Sequence, residues 1–251
     1  MTTVQSAAWS GCRGSTHFKR RPGADPLVTD IIAPSPLIVF DRVTLRFGDR
    51  IVLDTLSFVI ARHEFAVLTG SAGSGKTLVI RLIMALERPT AGTIAVAGQP
   101  LAALSRRALP HLRRSIGLVP QEPTLLDDRS VLDNVALPAA AAGLSRSEAR
   151  ARAVAALQRV GLDGVDRNAM PSRLAGSVRQ RVAIARALVN RPALLLVDEP
   201  LARLDDAAAT TVLQLLEQVV GAGLTVVYAA NSLPEPLSSR ARVIRLAGGD
   251  A

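Results

Sequence analysis

Gly70-Ser71-Ala72-Gly73-Ser74-Gly75-Lys76-Thr77 is the stretch that decides how the rest of this chain reads. Its spacing is GxxxxGK[ST]. It follows a β-rich apolar run, Glu64–Thr69, and precedes Leu78–Leu86, whose apolar residues recur at helical spacing until Pro89 stops them. Strand, glycine-rich loop and helix in that order form the context in which this spacing cradles phosphate. Glycines let backbone N–H groups curl around phosphate oxygens, the helix N-terminus adds positive potential, and Lys76 reaches the outer phosphates. Thr77 is placed to ligate Mg2+. The plain alternative is a glycine-rich turn beside a surface lysine. With the chain's own residue frequencies a chance match is expected on the order of once per thousand such chains, because lysine is so scarce.

Outward from this loop, further short strands are expected at Gly92–Ala97, Ile116–Val119, Ala193–Val197 and Leu224–Ala229. Between Gln121 and Leu174 no strong strand occurs; Val131–Ala142 and Ser145–Val160 read as helices, the second opened by Ser145 with Glu148 at capping-box spacing. The pattern predicts an α/β sheet covered on both faces, interrupted by a helical subdomain over about 122–174, with no internal repeat.

Composition bounds the partners. The 251 residues are 49% apolar and only 3% aromatic, so the core must be built from Ala, Leu, Val and Ile. Net charge is +9, and of 30 basic residues only Lys19 and Lys76 are lysine. Such a surface tolerates anionic partners without choosing among them. Cys12 is the single cysteine, which excludes an internal disulfide or a cysteine zinc cluster and points to a reducing compartment. No apolar run reaches the roughly 18 to 20 residues of a membrane span; the run around Val135–Leu144 is broken by Pro138. Residues 1–37, with Lys19, Arg20 and Arg21, lack the apolar region of a secretory signal and read as a flexible basic tail. Contact with acidic lipid and a solvated extension without a role are both open for it.

A second pair of chemical groups closes a strand near the other end of the chain. Leu194-Leu195-Leu196-Val197 runs into Asp198 and Glu199. Asp198 is suited to hold a metal's water shell, and Glu199 to orient or deprotonate a water attacking a terminal phosphate. Alone, Asp-Glu-Pro could be a strand-end turn; with the phosphate loop the functional reading dominates.

Together these motifs resemble the ATP-binding subunits of ABC systems over about residues 38–249. The resemblance implies a P-loop NTPase core with an antiparallel β part beside the inserted helical subdomain. It also implies a head-to-tail homodimer that binds ATP with Mg2+, and an integral membrane partner subunit of the permease type. Gln121 then falls in the family's Q-loop, which touches Mg2+ and water. Phe47 matches the aromatic residue that stacks on adenine, a core-packing Phe being the alternative, and Ala202-Arg203-Leu204-Asp205 corresponds to the D-loop at the dimer seam. The signature motif is represented by Leu174-Ala175-Gly176-Ser177-Val178-Arg179-Gln180-Arg181, in which Ala175 stands where the family has the serine that donates to the γ-phosphate across the dimer. Near Ser177 a helix is expected to begin, its amides still able to face an anion. Asn231 occupies the place of the switch histidine; an amide can donate to the γ-phosphate but carries no charge.

Within the family, Glu87–Gly92, His111–Gly117 and Asp128–Pro138 resemble the bacterial cell-division ATPases, and lipoprotein-releasing and macrolide-type exporters share parts of the pattern. The resemblance therefore implies an ATPase signalling to a membrane partner at the cytoplasmic face of the bacterial inner membrane. The runners-up are an exporter ATPase and a nucleotide-gated scaffold with little turnover. No binding module supports a specific nucleic-acid partner.

Overall fold

The computed structural model describes residues 36–202, 204–234 and 241–247. The tail expected over 1–37, with Cys12, and Arg203 of the D-loop stretch lie outside these residues, except that Pro36 and Leu37 belong to the fold. They open the first strand.

Two sheets organise the chain. The antiparallel sheet holds β1 (Pro36–Phe47), β2 (Arg50–Ala61), β4 (Ala91–Val96) and β5 (Gln99–Pro100) in the order β2-β1-β4-β5. The parallel sheet holds β3 (Phe65–Thr69), β6 (Ile116–Val119), β7 (Leu194–Asp198), β8 (Thr225–Ala230) and β9 (Arg242–Arg245) in the order β6-β7-β8-β3-β9. The β1–β2 hairpin precedes the strand at Phe65, which the sequence pattern puts first. Its residues alternate imperfectly because β1 carries register shifts between Phe40 and Val43 and between Val43 and Leu45. Each shift moves the buried side of the strand out of phase and blurs the two-residue period. The strand at Gly92–Ala97 exists as Ala91–Val96, but pairs with β1 in the antiparallel sheet.

The parallel strands divide their side chains between two cores with a period of two. Phe65, Val67, Leu195, Val197, Val226 and Tyr228 point into a core closed by α3 (Val131–Ala141), α4 (Arg146–Arg159), α5 (Gly176–Leu188) and α6 (Asp206–Gly221). Ala66, Leu68, Leu194, Leu196, Val227 and Ala229 point into the other, closed by α1 (Lys76–Ile83) and the antiparallel sheet. This is why β3, β7 and β8 are continuous apolar runs: both faces of a parallel sheet are covered. Fully buried, a residue such as Leu196 contributes about 1.5–3 kcal/mol relative to exposure. Among the described residues the ring contacts are Phe40 stacked on Phe58 and Phe65 edge-on to Tyr228, so aliphatic volume fills most of both cores.

Both helices expected between Gln121 and Leu174 form, as α3 and α4. Ser145 caps α4 in a capping box: its hydroxyl accepts from the Glu148 N–H, and the Glu148 carboxylate accepts from the Ser145 N–H at 3.0 Å. The first of the two runs through Pro138 to Ala141, one residue short of the expected end. A proline inside a helix removes one hydrogen bond. Here Val131, Val135, Ala136 and Ala139 bury the face around it, and tertiary packing outweighs the loss. Between Gln121 and α3, Asn134 clips the chain: buried completely, its Nδ2 donates to the Leu126, Arg129 and Ser130 carbonyls, and its Oδ1 accepts from the Leu126 N–H at 2.7 Å. A polar residue within an apolar helix gives no such signal in sequence. Short α2 (Leu109–Arg114) leads into β6 at the sheet edge.

Candidate functional site

The carboxyl ends of β3, β7 and β8 lie side by side, and each hands one piece of chemistry to a common site. β3 continues into the P-loop, β7 ends on Asp198 and Glu199, and β8 ends one residue before Asn231. Strand ends in an open parallel sheet are where such folds bind ligands.

The P-loop is held in shape by left-handed glycines and by close neighbours. Gly73 and Gly75 have φ of +82° and +91°, a region that favours glycine. At Gly75 a Cβ would come within 2.7 Å of Leu53 Cδ2, and at Gly70 within 2.9 Å of the Leu246 carbonyl, so β2 and the end of β9 both press on the loop. The helix that follows begins at Lys76, two residues before the expected Leu78, because the loop itself supplies the helix start with Gly75 as its cap.

Lys76 is 5% exposed, and its ammonium donates to the Gly70 carbonyl at 2.9 Å, the Ser71 carbonyl at 3.0 Å and Asn231 Oδ1 at 2.9 Å. Glu199 Oε1 lies 3.4 Å from it. The Asn231 Nδ2 donates to Glu199 Oε2 at 3.2 Å, and Gln121 Nε2 approaches the same oxygen at 3.5 Å. Glu199 has φ of +40°, a backbone strain that β7 and the N–H bond to the Ala229 carbonyl hold in place. Lys76, Gln121, Glu199 and Asn231, far apart in the chain, thus meet in one cluster.

Beside it, the Thr77 hydroxyl donates to Asp198 Oδ2 at 2.8 Å. Burial pushes the Asp198 carboxyl above the ordinary range; the Thr77 hydrogen bond opposes this, the charge of Glu199 reinforces it, and Lys76 opposes it. With the carboxyl raised in the folded state, the fold holds its proton more tightly than the unfolded chain does. The corresponding stability is present at low pH and lost as pH rises through the raised value. Asp198→Asn is therefore expected to leave the ligand-free protein at least as stable as the parent at neutral pH, with a shallower loss of stability from pH 4 to 7. Denaturant titrations across that range would check it.

The donors fit the expected groups. Among the described residues no cluster of three or more His, Cys, Asp or Glu is suited to a metal, so Thr77, Asp198 and Gln121 would hold Mg2+ only with phosphate oxygens and water completing its shell, which is how this ion commonly binds. Inside the P-loop the fully buried Ser74 hydroxyl has no partner, an orphan polar atom where a phosphate-binding loop has room for one. The other P-loop positions, Ser71 and Ala72, are exposed at its rim.

Phe47 ends β1 and is 50% exposed, so it packs into neither core. It shares the hairpin with Leu53, the residue pressed on Gly75. The signature residues stand apart: Ala175 caps α5 without a side-chain hydrogen bond, Gly176 rather than Ser177 is the first helical residue, and no hydrogen bond joins them to the P-loop. Asp205 caps α6, its carboxylate accepting from the Ala208 N–H at 2.8 Å. Tyr228 was not anticipated. Burial, and secondarily the charge of Glu199, push its phenol up, so it stays neutral beneath the site.

A family model described as ABC transporter matches residues 53–202. The chain is 43% identical to the cell division ATP-binding protein FtsE of Escherichia coli K12 over 198 residues, 78% of this chain and 89% of that protein. It is 40% identical to the lipoprotein-releasing system ATP-binding protein LolD of Chromohalobacter salexigens, covering 80% of this chain and 85% of the relative. The fold superposes on the ATP-binding cassette MJ0796, solved as a dimer in a post-hydrolysis state with ADP and Pi, with a TM-score of 0.74 and 31% identity. That match covers 83% of this chain and 94% of the cassette.

Proposed function

The chain belongs to the ABC transporter family as an ATP-binding subunit and ATPase close to FtsE, and from that premise we propose that it serves a two-component membrane complex in cell division. Two copies close head to tail over two Mg-ATP, and closure signals to an integral membrane partner, an FtsX-like permease, at the cytoplasmic face of the bacterial inner membrane. Among the described residues no helix is long and apolar enough to cross a membrane, so attachment through that partner is the arrangement this reading uses. The observation that carries the chemistry is the meeting of Lys76, Glu199, Asn231 and Gln121 beside Thr77 and Asp198.

In this reading the amides of Gly70–Thr77 and the Lys76 ammonium bind the phosphates, and Phe47 stacks on adenine. Thr77, Gln121 and Asp198 hold Mg2+, which supplies neutralisation of phosphate charge. Glu199 takes the proton of the attacking water or orients it, its position held by Gln121 and Asn231. The helix start at Ala175, Gly176 and Ser177 of one copy faces the phosphates held by the other, with Asp205 near the seam. The exposed, uncapped N-terminus of α5 supports that role.

Ala175 and Asn231 make hydrolysis slow. Neither the missing hydroxyl nor the uncharged amide restores the charge stabilisation that a serine and a histidine provide, and one preorganised donor is commonly worth about 10²–10³ in rate. Ala175→Ser combined with Asn231→His is expected to raise phosphate release at saturating Mg-ATP by at least about tenfold. A brisk parent rate that neither substitution changes would refute the slow site.

The likeness to LolD supports a second reading, an exporter ATPase acting on lipoprotein, lipid or small molecules. Co-expression with candidate permeases of the two kinds, followed by membrane pelleting, separates them: retention by the division-type permease alone supports the first reading, and retention by the exporter type alone supports the second. A nucleotide-gated scaffold predicts ATP-dependent dimers with no turnover even after both substitutions.

A further inference from the structure

Building on the ATP-site reading above, we propose that Asn231 is a latch on Lys76, an amide that holds the ammonium and must let go before phosphate can bind. An ammonium has three N–H donors and no acceptor. All three have acceptors at 2.9–3.0 Å: the Gly70 carbonyl, the Ser71 carbonyl and Asn231 Oδ1. The first two belong to the P-loop itself and fold the lysine back along it. The third comes from the end of β8, the only one of the three that another element supplies.

The amide is fixed at both ends. While Oδ1 accepts from Lys76, Nδ2 donates to Glu199 Oε2 at 3.2 Å, and Glu199 in turn lies 3.4 Å from the ammonium through its other oxygen. The reversed amide would set its N–H donors against the ammonium and its carbonyl against the carboxylate, two repulsive contacts, so the chemistry of the cluster selects this orientation. A protonated histidine could not do the same, because both of its ring nitrogens donate and neither can accept from Lys76. Compared with that charged ring, Asn231 both removes charge from the site and adds an acceptor.

The consequence is a competition. Phosphate oxygens that recruit Lys76 must break its bond to Asn231 Oδ1 and compete with Glu199. A hydrogen bond to a charged group is worth enough to shift an affinity by about tenfold or more. The Asn231 side chain is exposed at the strand end, so its loss spares both cores.

Mg-ADP separates this latch from a simple γ-phosphate contact, because ADP has no γ-phosphate to lose. Calorimetry of Mg-ADP binding is run on the parent chain, Asn231→Ala and Asn231→Val, each first shown to unfold cooperatively. Both variants are expected to bind Mg-ADP about tenfold more tightly than the parent. Affinity that is unchanged or weaker in both variants overturns the latch while leaving the ATP-site reading in place. A parent chain that takes up neither Mg-ADP nor Mg-ATP overturns the ATP-site reading itself.

Discussion

Glu199→Gln lowers phosphate release by about 10²–10⁴-fold relative to the parent while preserving nucleotide binding, if Glu199 is the group that takes or directs the water proton. Glutamine keeps the length of the side chain and one oxygen acceptor for the Asn231 and Gln121 amides, so the cluster's geometry survives. What is lost is the charge and the basicity. The same change removes the anion 3.4 Å from Lys76, which frees the ammonium for phosphate. The variant is therefore expected to run on a sizing column as a dimer in Mg-ATP and as a monomer without it. Parent-level turnover would remove Glu199 from the chemistry, and a monomer at every nucleotide concentration would count against a site shared between two copies.

Removing the ammonium is expected to act on binding. Lys76→Ala deletes the charged donor that the proposed reading gives to the outer phosphates and takes away the ammonium beside the carboxylates of Glu199 and Asp198. Charge-assisted hydrogen bonds are about twice as strong as neutral ones, and a loss of roughly 100-fold in Mg-ATP affinity is expected by calorimetry. The substitution also leaves the Gly70 and Ser71 carbonyls without this donor and a half-buried carboxylate unpaired, so the fold is destabilised as well. Comparing the two variants at equal folded fraction separates the effects: Lys76→Ala loses uptake, whereas Glu199→Gln keeps uptake and loses turnover. Uptake unchanged in Lys76→Ala would overturn the phosphate-loop assignment.

The two Asn231 experiments read different properties of one residue. Histidine in its place tests charge near the transferred phosphate and is read as turnover. Alanine or valine tests the acceptor on Lys76 and is read as ADP affinity. A slow rate and a latched lysine are compatible, because in the proposed reading the amide that would fail to supply charge during hydrolysis is the same amide that accepts from the ammonium.

Much of the parallel sheet was legible because its strands are local signals. Leu194–Val197 and Val226–Ala229 are unbroken apolar runs, and the P-loop spacing with its flanking strand and helix carries its own mechanism. The capping box at Ser145 was equally local. The β1–β2 hairpin was harder, since its register shifts disturb the alternation from which a half-buried strand is recognised. Helix α3 was legible through Pro138 because the apolar residues on both sides of it keep one buried face.

By itself the sequence determined the phosphate loop, the carboxylate pair at the end of β7 and the two substitutions at Ala175 and Asn231, because each is a property of neighbouring residues or of a residue type. Only the tertiary structure decided that Lys76, Gln121, Glu199 and Asn231 touch, which amide atom faces which charge, and that Leu53 and Leu246 brace the loop. The physical reason is that strand order, not chain order, sets these distances: β8 lies between β7 and β3, so residues 76, 199 and 231 meet at the carboxyl ends of adjacent strands although more than thirty residues separate each from the next.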